Sequence, residues 1–255
     1  MMYFSVIKMI HGQGPGELPV VIPTFNNPSY LQNMINQLEK YNLTNIIILD
    51  NWSTNPDMNS LLSKLCDKYT VVKKFTNDGP REYYLNKKLF NWLPEKFILT
   101  DPDIGFNENL PANFVQSLID ISLKHNLYKV GFALDIEMNG IDSNIKEIMF
   151  GNLMSMYQWE TQFYNHQIDS VDNQPVYLAA IDTTFCLVNK KFYEPYDEPM
   201  QIRDKCARVG GTFIAQHYGW HKNPPMTEEE FDFYLSMVPP QWSFTSNAIK
   251  MKRGL

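Results

Sequence analysis

Three apolar runs, Val20-Val21-Ile22, Ile46-Ile47-Ile48-Leu49 and Phe97-Ile98-Leu99, each give way to polar residues at their C-terminal ends. None alternates polar with apolar, so each predicts a strand covered on both faces, as in a parallel sheet with helices on either side. The first reads as Leu18 to Phe25, after a Gly/Pro-punctuated lead, and Asn26-Asn27 turns the chain. Asn27-Pro28 then forms an N-cap and first-turn pair. Leu31, Met34, Ile35 and Leu38 recur with helical period and make an amphipathic helix. Strand, helix and strand of this length form a right-handed crossover unit.

The pattern continues with a helix around Met58 to Tyr69, a short strand Thr70 to Phe75 and a helix around Arg81 to Trp92. The strand Phe97–Leu99 follows, then a helix near Asn113 to His125 and a strand from Val130 to Asp135. Beyond that the chain is less regular. Gln158 to Asp172 is polar and aromatic, a strand is expected from about Val176 to Val188 through Asp182, and Pro224-Pro225 and Pro239-Pro240 break the tail. No repeat or linker stands out. The expected class is α/β, with a mostly parallel central sheet flanked by helices. Residues 1–255 are read as one domain, with a nucleotide-binding half of about 1–110 and an acceptor half of about 111–255; 255 residues suffice for a continuous core.

The formal charge is -6 and no dense Lys/Arg cluster occurs, which argues against a nucleic-acid partner. Cys66, Cys186 and Cys206 are odd in number and lack zinc-ligand spacing, so a reducing, cytoplasmic setting is expected. Met1 to Ile10 carries Ser5 and Lys8 and lacks a long apolar core or a small-residue cleavage site. Nowhere do eighteen apolar residues run together, so no membrane span and a soluble protein are expected.

The run ending at Leu99 delivers Asp101-Pro102-Asp103. Strand alternation would put both carboxylates on one face, and Pro102 excludes an interior ladder position because it has no N–H. Hard oxygen ligands of this kind suit Mg2+ or Mn2+, which take one or two carboxylates and leave other positions to water and phosphate. Asp50 falls at the carboxyl end of the second strand, where open parallel sheets bind ligands, and Thr24 and Asn26 line the same crevice. Arg81, after Gly79-Pro80, is either a bidentate fork for a phosphate or a surface residue in the first turn of the next helix. Asp182 lies in an apolar run, where burial would raise its pKa towards that of a base for a hydroxyl proton. It could equally serve as a backbone-bonded acid at a strand irregularity. His217 is a candidate to complete a metal shell; Gly219 between it and His221 argues against a zinc-binding helix. Trp159, Tyr218 and Trp220 could stack on a sugar or fill the core.

With these residues in view, the chain resembles the GT-A glycosyltransferases, particularly their family 2-like branch. Val20-Val21-Ile22-Pro23-Thr24-Phe25-Asn26 is similar to their opening strand and turn, Asp50-Asn51-Trp52-Ser53-Thr54 to their acidic segment after the second strand, and Asp101-Pro102-Asp103 to their metal-binding Asp-x-Asp. Downstream, Ala180 to Phe185 resembles an acceptor-side strand carrying an acidic base, and Arg208 to Thr212 with His217 to His221 a late segment in which a His joins the metal. The resemblance implies a nucleotide-sugar donor, a UDP-sugar favoured, with a glycan or other hydroxyl acceptor and Mn2+ or Mg2+ as cofactor. It implies donor contacts from Pro23, Thr24, Asn26, Asp50, Asn51, Arg81 and Asp101, metal ligands Asp101, Asp103 and His217, and catalysis by Asp182. Only Asp182 stands where the commonest inverting pattern has an adjacent Glu-Asp pair, so inversion is expected with the base left open. Two alternatives remain: a sugar-nucleotide pyrophosphorylase, disfavoured because Thr24 to Pro28 is no Gly-rich basic loop, and a non-catalytic nucleotide- or carbohydrate-binding module.

Overall fold

The computed structural model describes residues 14–81, 86–137, 140, 146–149, 152–182, 184–194 and 205–239. Strands β1 (Val20–Thr24), β2 (Ile46–Asp50) and β3 (Thr70–Lys73) are linked through helices α1 (Pro28–Lys40) and α2 (Pro56–Leu65). Next come α3 (Lys87–Trp92), β4 (Lys96–Leu99), β5 (Ile104–Gly105), α4 (Phe114–His125) and β6 (Lys129–Phe132). The rest comprises β7 (Lys146–Met149), β8 (Asn152–Ser155), α5 (Met156–Thr161), β9 (Gln167–Val171), β10 (Gln174–Leu178), β11 (Cys186–Asn189), β12 (Cys206–Val209), β13 (Gln216–His217) and α6 (Glu228–Met237). Among the described residues no helix is long and apolar enough to cross a membrane.

The main sheet has nine strands in the order β3-β2-β1-β4-β11-β6-β12-β10-β9. Strands β3, β2, β1 and β4 are mutually parallel. Strand β11 runs against both β4 and β6, β12 runs with β6, and β10 runs against β12 and β9. Tracing these pairings leaves only β11 and β10 opposed to the other seven strands. The sheet is therefore mostly parallel in direction, with its carboxyl edge set by β1, β2, β4 and β6.

Alternation sends successive side chains to opposite faces, and both faces here are apolar. Val20, Ile22, Ile48 and Ile98 pack with Leu31, Met34, Ile35 and Leu38 of α1 and Met58 and Leu62 of α2. Val21, Ile47, Leu49, Phe97 and Leu99 pack on the other side with Leu89, Leu93 and Tyr128. Asn55 starts α2 by accepting from the Asp57 and Met58 N–H groups, and Asn86 starts α3 by accepting from Lys88 and Leu89. The helix expected from Arg81 therefore begins later, at Lys87; residues 82–85 lie outside the described residues.

The strand expected from Val176 to Val188 is two strands. The chain leaves β10, passes β12 and β6, and enters β11 between β6 and β4. In the crossing, Ala180 C=O accepts from Arg208 Nε at 2.8 Å, and the Ile181 and Asp182 carbonyls accept from Lys129 Nζ at 3.3 and 2.7 Å. Buried cations replace ladder partners there, so an apolar run need not remain in the sheet. Thr183 lies outside the described residues. A separate antiparallel ladder sets Ile104 of β5 opposite His217 of β13.

Candidate functional site

At the carboxyl ends of β1 and β2 lies a buried polar knot. Asn26 takes a left-handed conformation, φ 50°, which Asn tolerates. Its Oδ1 accepts from the Thr54 and Asn55 N–H groups at 2.8 and 2.9 Å, and its own N–H donates to Ser53 Oγ at 2.9 Å. Thr24 Oγ1 donates to Asn27 Oδ1 at 2.6 Å. Asn51 N–H donates to Thr24 C=O, its Oδ1 accepts from Lys74 Nζ at 2.9 Å, and Lys74 also pairs with Asp78 at 2.8 Å. Asp50 is 2% exposed and accepts from Ser53 N–H at 3.2 Å. Burial pushes its carboxyl above the ordinary aspartate range, against the pull of Ser53 and of Lys73 and Lys74. Pro23 pairs with Leu49 in the β1–β2 register, and the β1–β4 register ends at Val21 opposite Leu99, before the proline. Ser53, Asn55 and Lys74 belong to this knot without having been singled out in sequence; Ser, Asn and Lys in a turn carry no periodic signal.

Strand β4 ends at Leu99, so Asp101 and Asp103 lie beyond it and strand alternation does not set their faces. Asp103 precedes β5, and the β5–β13 ladder carries it to His217. The Tyr218 N–H donates to Asp103 C=O at 2.8 Å, and His217 Nε2 stands 3.6 Å from Asp103 Oδ2. A Cβ on Gly219 would come 3.0 Å from His217 Cε1 and 3.2 Å from Asp103 Oδ2, so any side chain there would crowd both groups. The His217 ring stacks on Trp220 at 4.2 Å and 10°, which fixes its plane. His217 Nδ1 is buried with no hydrogen-bond partner among the described residues.

A carboxylate with a neutral imidazole is a donor set that Mn2+ accepts. Neighbouring ligands of an octahedral ion with bonds of about 2.1 Å lie about 3 Å apart; at 3.6 Å the two atoms would close by about 0.6 Å on a shared ion. Among the described residues no three His, Cys, Asp or Glu side chains gather as a complete cation site. Asp103 and His217 would thus supply two positions, with others open to phosphate oxygens or water. Asp101 is half-buried in the same turn. His221 sits instead beside Gly140, where burial lowers its pKa against the pull of Asp135.

Asp182 is not the buried strand acid its apolar surroundings suggested. It occupies the bend between β10 and β11, and its side chain is 45% exposed. Arg81 holds it bidentately, Nε to Oδ1 at 3.0 Å and Nη2 to Oδ2 at 2.6 Å. The two residues come from opposite halves of the chain and meet at the same edge: Cys186 opens β11 opposite Leu99, which sets the bend before it beside the end of β4.

The aromatic candidates are engaged in packing. Trp220 covers His217, Tyr218 stacks on Tyr30 with centroids 6.2 Å apart, and Trp159 meets Phe163 edge-on. A further pair escaped the sequence reading. Arg208 of β12 and Glu160 of α5 form a 2.5 Å ion pair with side chains 5% and 4% exposed, and the guanidinium lies 3.9 Å from the Phe163 ring centre.

No protein-family profile matches this sequence, and curated proteins give no match. Solved structures do match. The crystal structure of GalNAc-T7 with UDP, GalNAc and Mn2+ aligns at a TM-score of 0.51 and 13% identity, over 92% of this chain and 54% of that one. The fold is GT-A. Two further structures align less well: S. aureus TarS 1-349 at a TM-score of 0.45 and 13% identity, over 86% of this chain and 63% of that one, and HddC from Yersinia pseudotuberculosis at 0.40 and 13%, over 71% and 81%. The chain thus spans about half the length of the GalNAc-T7 structure that it matches.

Proposed function

We propose that the protein is a metal-dependent glycosyltransferase that moves a sugar from a nucleotide-sugar donor, a UDP-sugar favoured, to a hydroxyl of a glycan or other acceptor, with inversion. The observation that carries this reading is the approach of His217 Nε2 to Asp103 Oδ2 at the carboxyl edge of a GT-A sheet. In this reading residues 1–255 act as one domain, about 1–110 binding the donor and the rest the acceptor. The three unpaired cysteines fit a reducing cytoplasmic setting.

Asp50 and Asn51, with Pro23, Thr24 and Asn26 behind them, hold the nucleoside. Asp103 and His217, assisted by Asp101, hold Mn2+ or Mg2+, which when bound supplies positive charge against the leaving diphosphate. The acceptor oxygen attacks the anomeric carbon opposite the diphosphate, the carbon–phosphate-oxygen bond breaks, and the acceptor proton passes to the Asp182 carboxylate. Arg81 engages both oxygens of that carboxylate in the structure. A donor phosphate that takes up the Arg81 fork leaves both Asp182 oxygens open to the acceptor hydroxyl. The products are the glycosylated acceptor and a free nucleoside diphosphate.

The test is release of nucleoside diphosphate from a panel of nucleotide sugars with Mn2+ and hydroxyl acceptors. Acceptor-dependent release that Asp103→Asn abolishes is expected. Nucleotide binding without release from any donor would favour a binding module, and formation of nucleotide sugar from a nucleoside triphosphate and a sugar phosphate would favour a pyrophosphorylase.

A further inference from the structure

Six non-glycine residues have positive φ among the described residues, and five are Asn or Asp, which visit that region at little cost. The sixth is Trp52, at φ 65°. A bulky residue there is an outlier, and such conformations persist where the surroundings over-determine them, often at ligand clamps. The surroundings here do so. On one side Asn51 is held through its N–H to Thr24 and its side chain to Lys74 and Gly79. On the other, Ser53 donates its N–H to Asp50 and accepts from Asn26, and the Thr54 N–H is bonded to Asn26. Asn51 and Ser53 are buried, whereas Trp52 between them is 55% exposed. The network therefore holds a large apolar residue exposed, at a backbone cost, at the position that follows Asp50 and Asn51 in the chain.

We propose that Trp52 is a stacking platform for the nucleobase of the donor, a positioning residue next to the polar groups that read the base and ribose; this rests on the donor site described above. An aromatic face accepts any base, because every base has a π-face, so Trp52 adds affinity while Asp50 and Asn51 discriminate. Loss of one such stack corresponds to a roughly 5- to 150-fold change in affinity.

The experiment titrates wild type, Trp52→Phe and Trp52→Gly, each with Mn2+, against UDP, GDP, dTDP and CMP, and against inorganic pyrophosphate as a probe without a ring. For the nucleotide that wild type binds most tightly, Trp52→Gly is expected to weaken binding roughly 5- to 150-fold, Trp52→Phe to keep most of it, and pyrophosphate binding to stay unchanged. Because glycine accepts φ 65° without strain, Trp52→Gly is also expected to melt no lower than wild type. Undiminished nucleotide binding by Trp52→Gly, or an equal loss for pyrophosphate, overturns the proposal while leaving the glycosyltransferase reading intact. So does a loss confined to acceptor KM, which would assign the ring to the acceptor. No binding of any nucleotide by wild type would remove both.

Discussion

Glu160→Gln probes the buried pair that ties α5 to β12. Glu160 and Arg208 are 4% and 5% exposed and 2.5 Å apart, so the substitution leaves a guanidinium in a place where water cannot replace the lost charge. Breaking a buried pair at one partner costs about 3–5 kcal/mol. Glutamine retains an acceptor oxygen, and Arg208 keeps its bond to Ala180 C=O and its place over Phe163, so the lower end, about 3 kcal/mol, is expected. At roughly 2–4 °C per kcal/mol for a chain of this size, Tm falls by about 6–12 °C. Circular dichroism on heating, with urea titration to confirm an unchanged m-value, measures it. Replacing both residues by methionine should recover most of the loss, since the cost is an uncompensated charge. A fall below about 2 °C in Glu160→Gln, or a double variant as unstable as the single, would refute that reasoning.

Asp50 carries a pKa raised by burial, so the folded state holds its proton more tightly than the unfolded chain does. Stability therefore falls as pH rises from the ordinary aspartate range through the raised pKa, and stays lower at neutral pH. Asp50→Asn should raise Tm at pH 7, lose that advantage in acid, and weaken nucleotide binding; a lower Tm at pH 7 would contradict the sign. Gly219→Ala places a Cβ against both His217 and Asp103, and is expected to weaken Mn2+-dependent nucleotide binding about 10- to 100-fold with little change in Tm, read by titration at fixed Mn2+. Asp182→Asn should bind donor nucleotide as wild type does but transfer sugar at least about 100-fold more slowly, and retained transfer would remove it as the base.

What the sequence revealed follows from periodicity. Strands β1, β2 and β4 are covered on both faces, so their apolar runs are continuous and their ends visible; α1 shows because its buried stripe recurs with helical period. Asp50, Asp101 and Asp103 stand out because they close such runs. Long-range encounters leave no such trace. Nothing near Asp103 tells that His217 arrives through β13, and nothing in Glu160 or Arg208 marks them as partners. The apolar run from Val176 to Val188 hid a crossing between strands, because burial under Lys129 and Arg208 demands the same apolar residues that a strand does. That crossing turned Asp182 from an expected buried acid into a half-exposed partner of Arg81. The left-handed turn at Trp52 was equally invisible, being imposed by hydrogen bonds from Asn26, Asp50 and Ser53 rather than by its own preference.

The most direct measurement is a thermal-shift panel of UDP, GDP, dTDP and CMP, each with and without Mn2+, on wild type and Asp103→Asn. A ligand at a hundred times its Kd that binds only the folded state adds about 2.7 kcal/mol, or roughly 5–11 °C here. One nucleoside diphosphate is expected to produce that rise in wild type only with Mn2+, and to fail in Asp103→Asn. A flat response throughout, or a rise in Asp103→Asn equal to that of wild type, would contradict a metal-held donor site at Asp103 and His217.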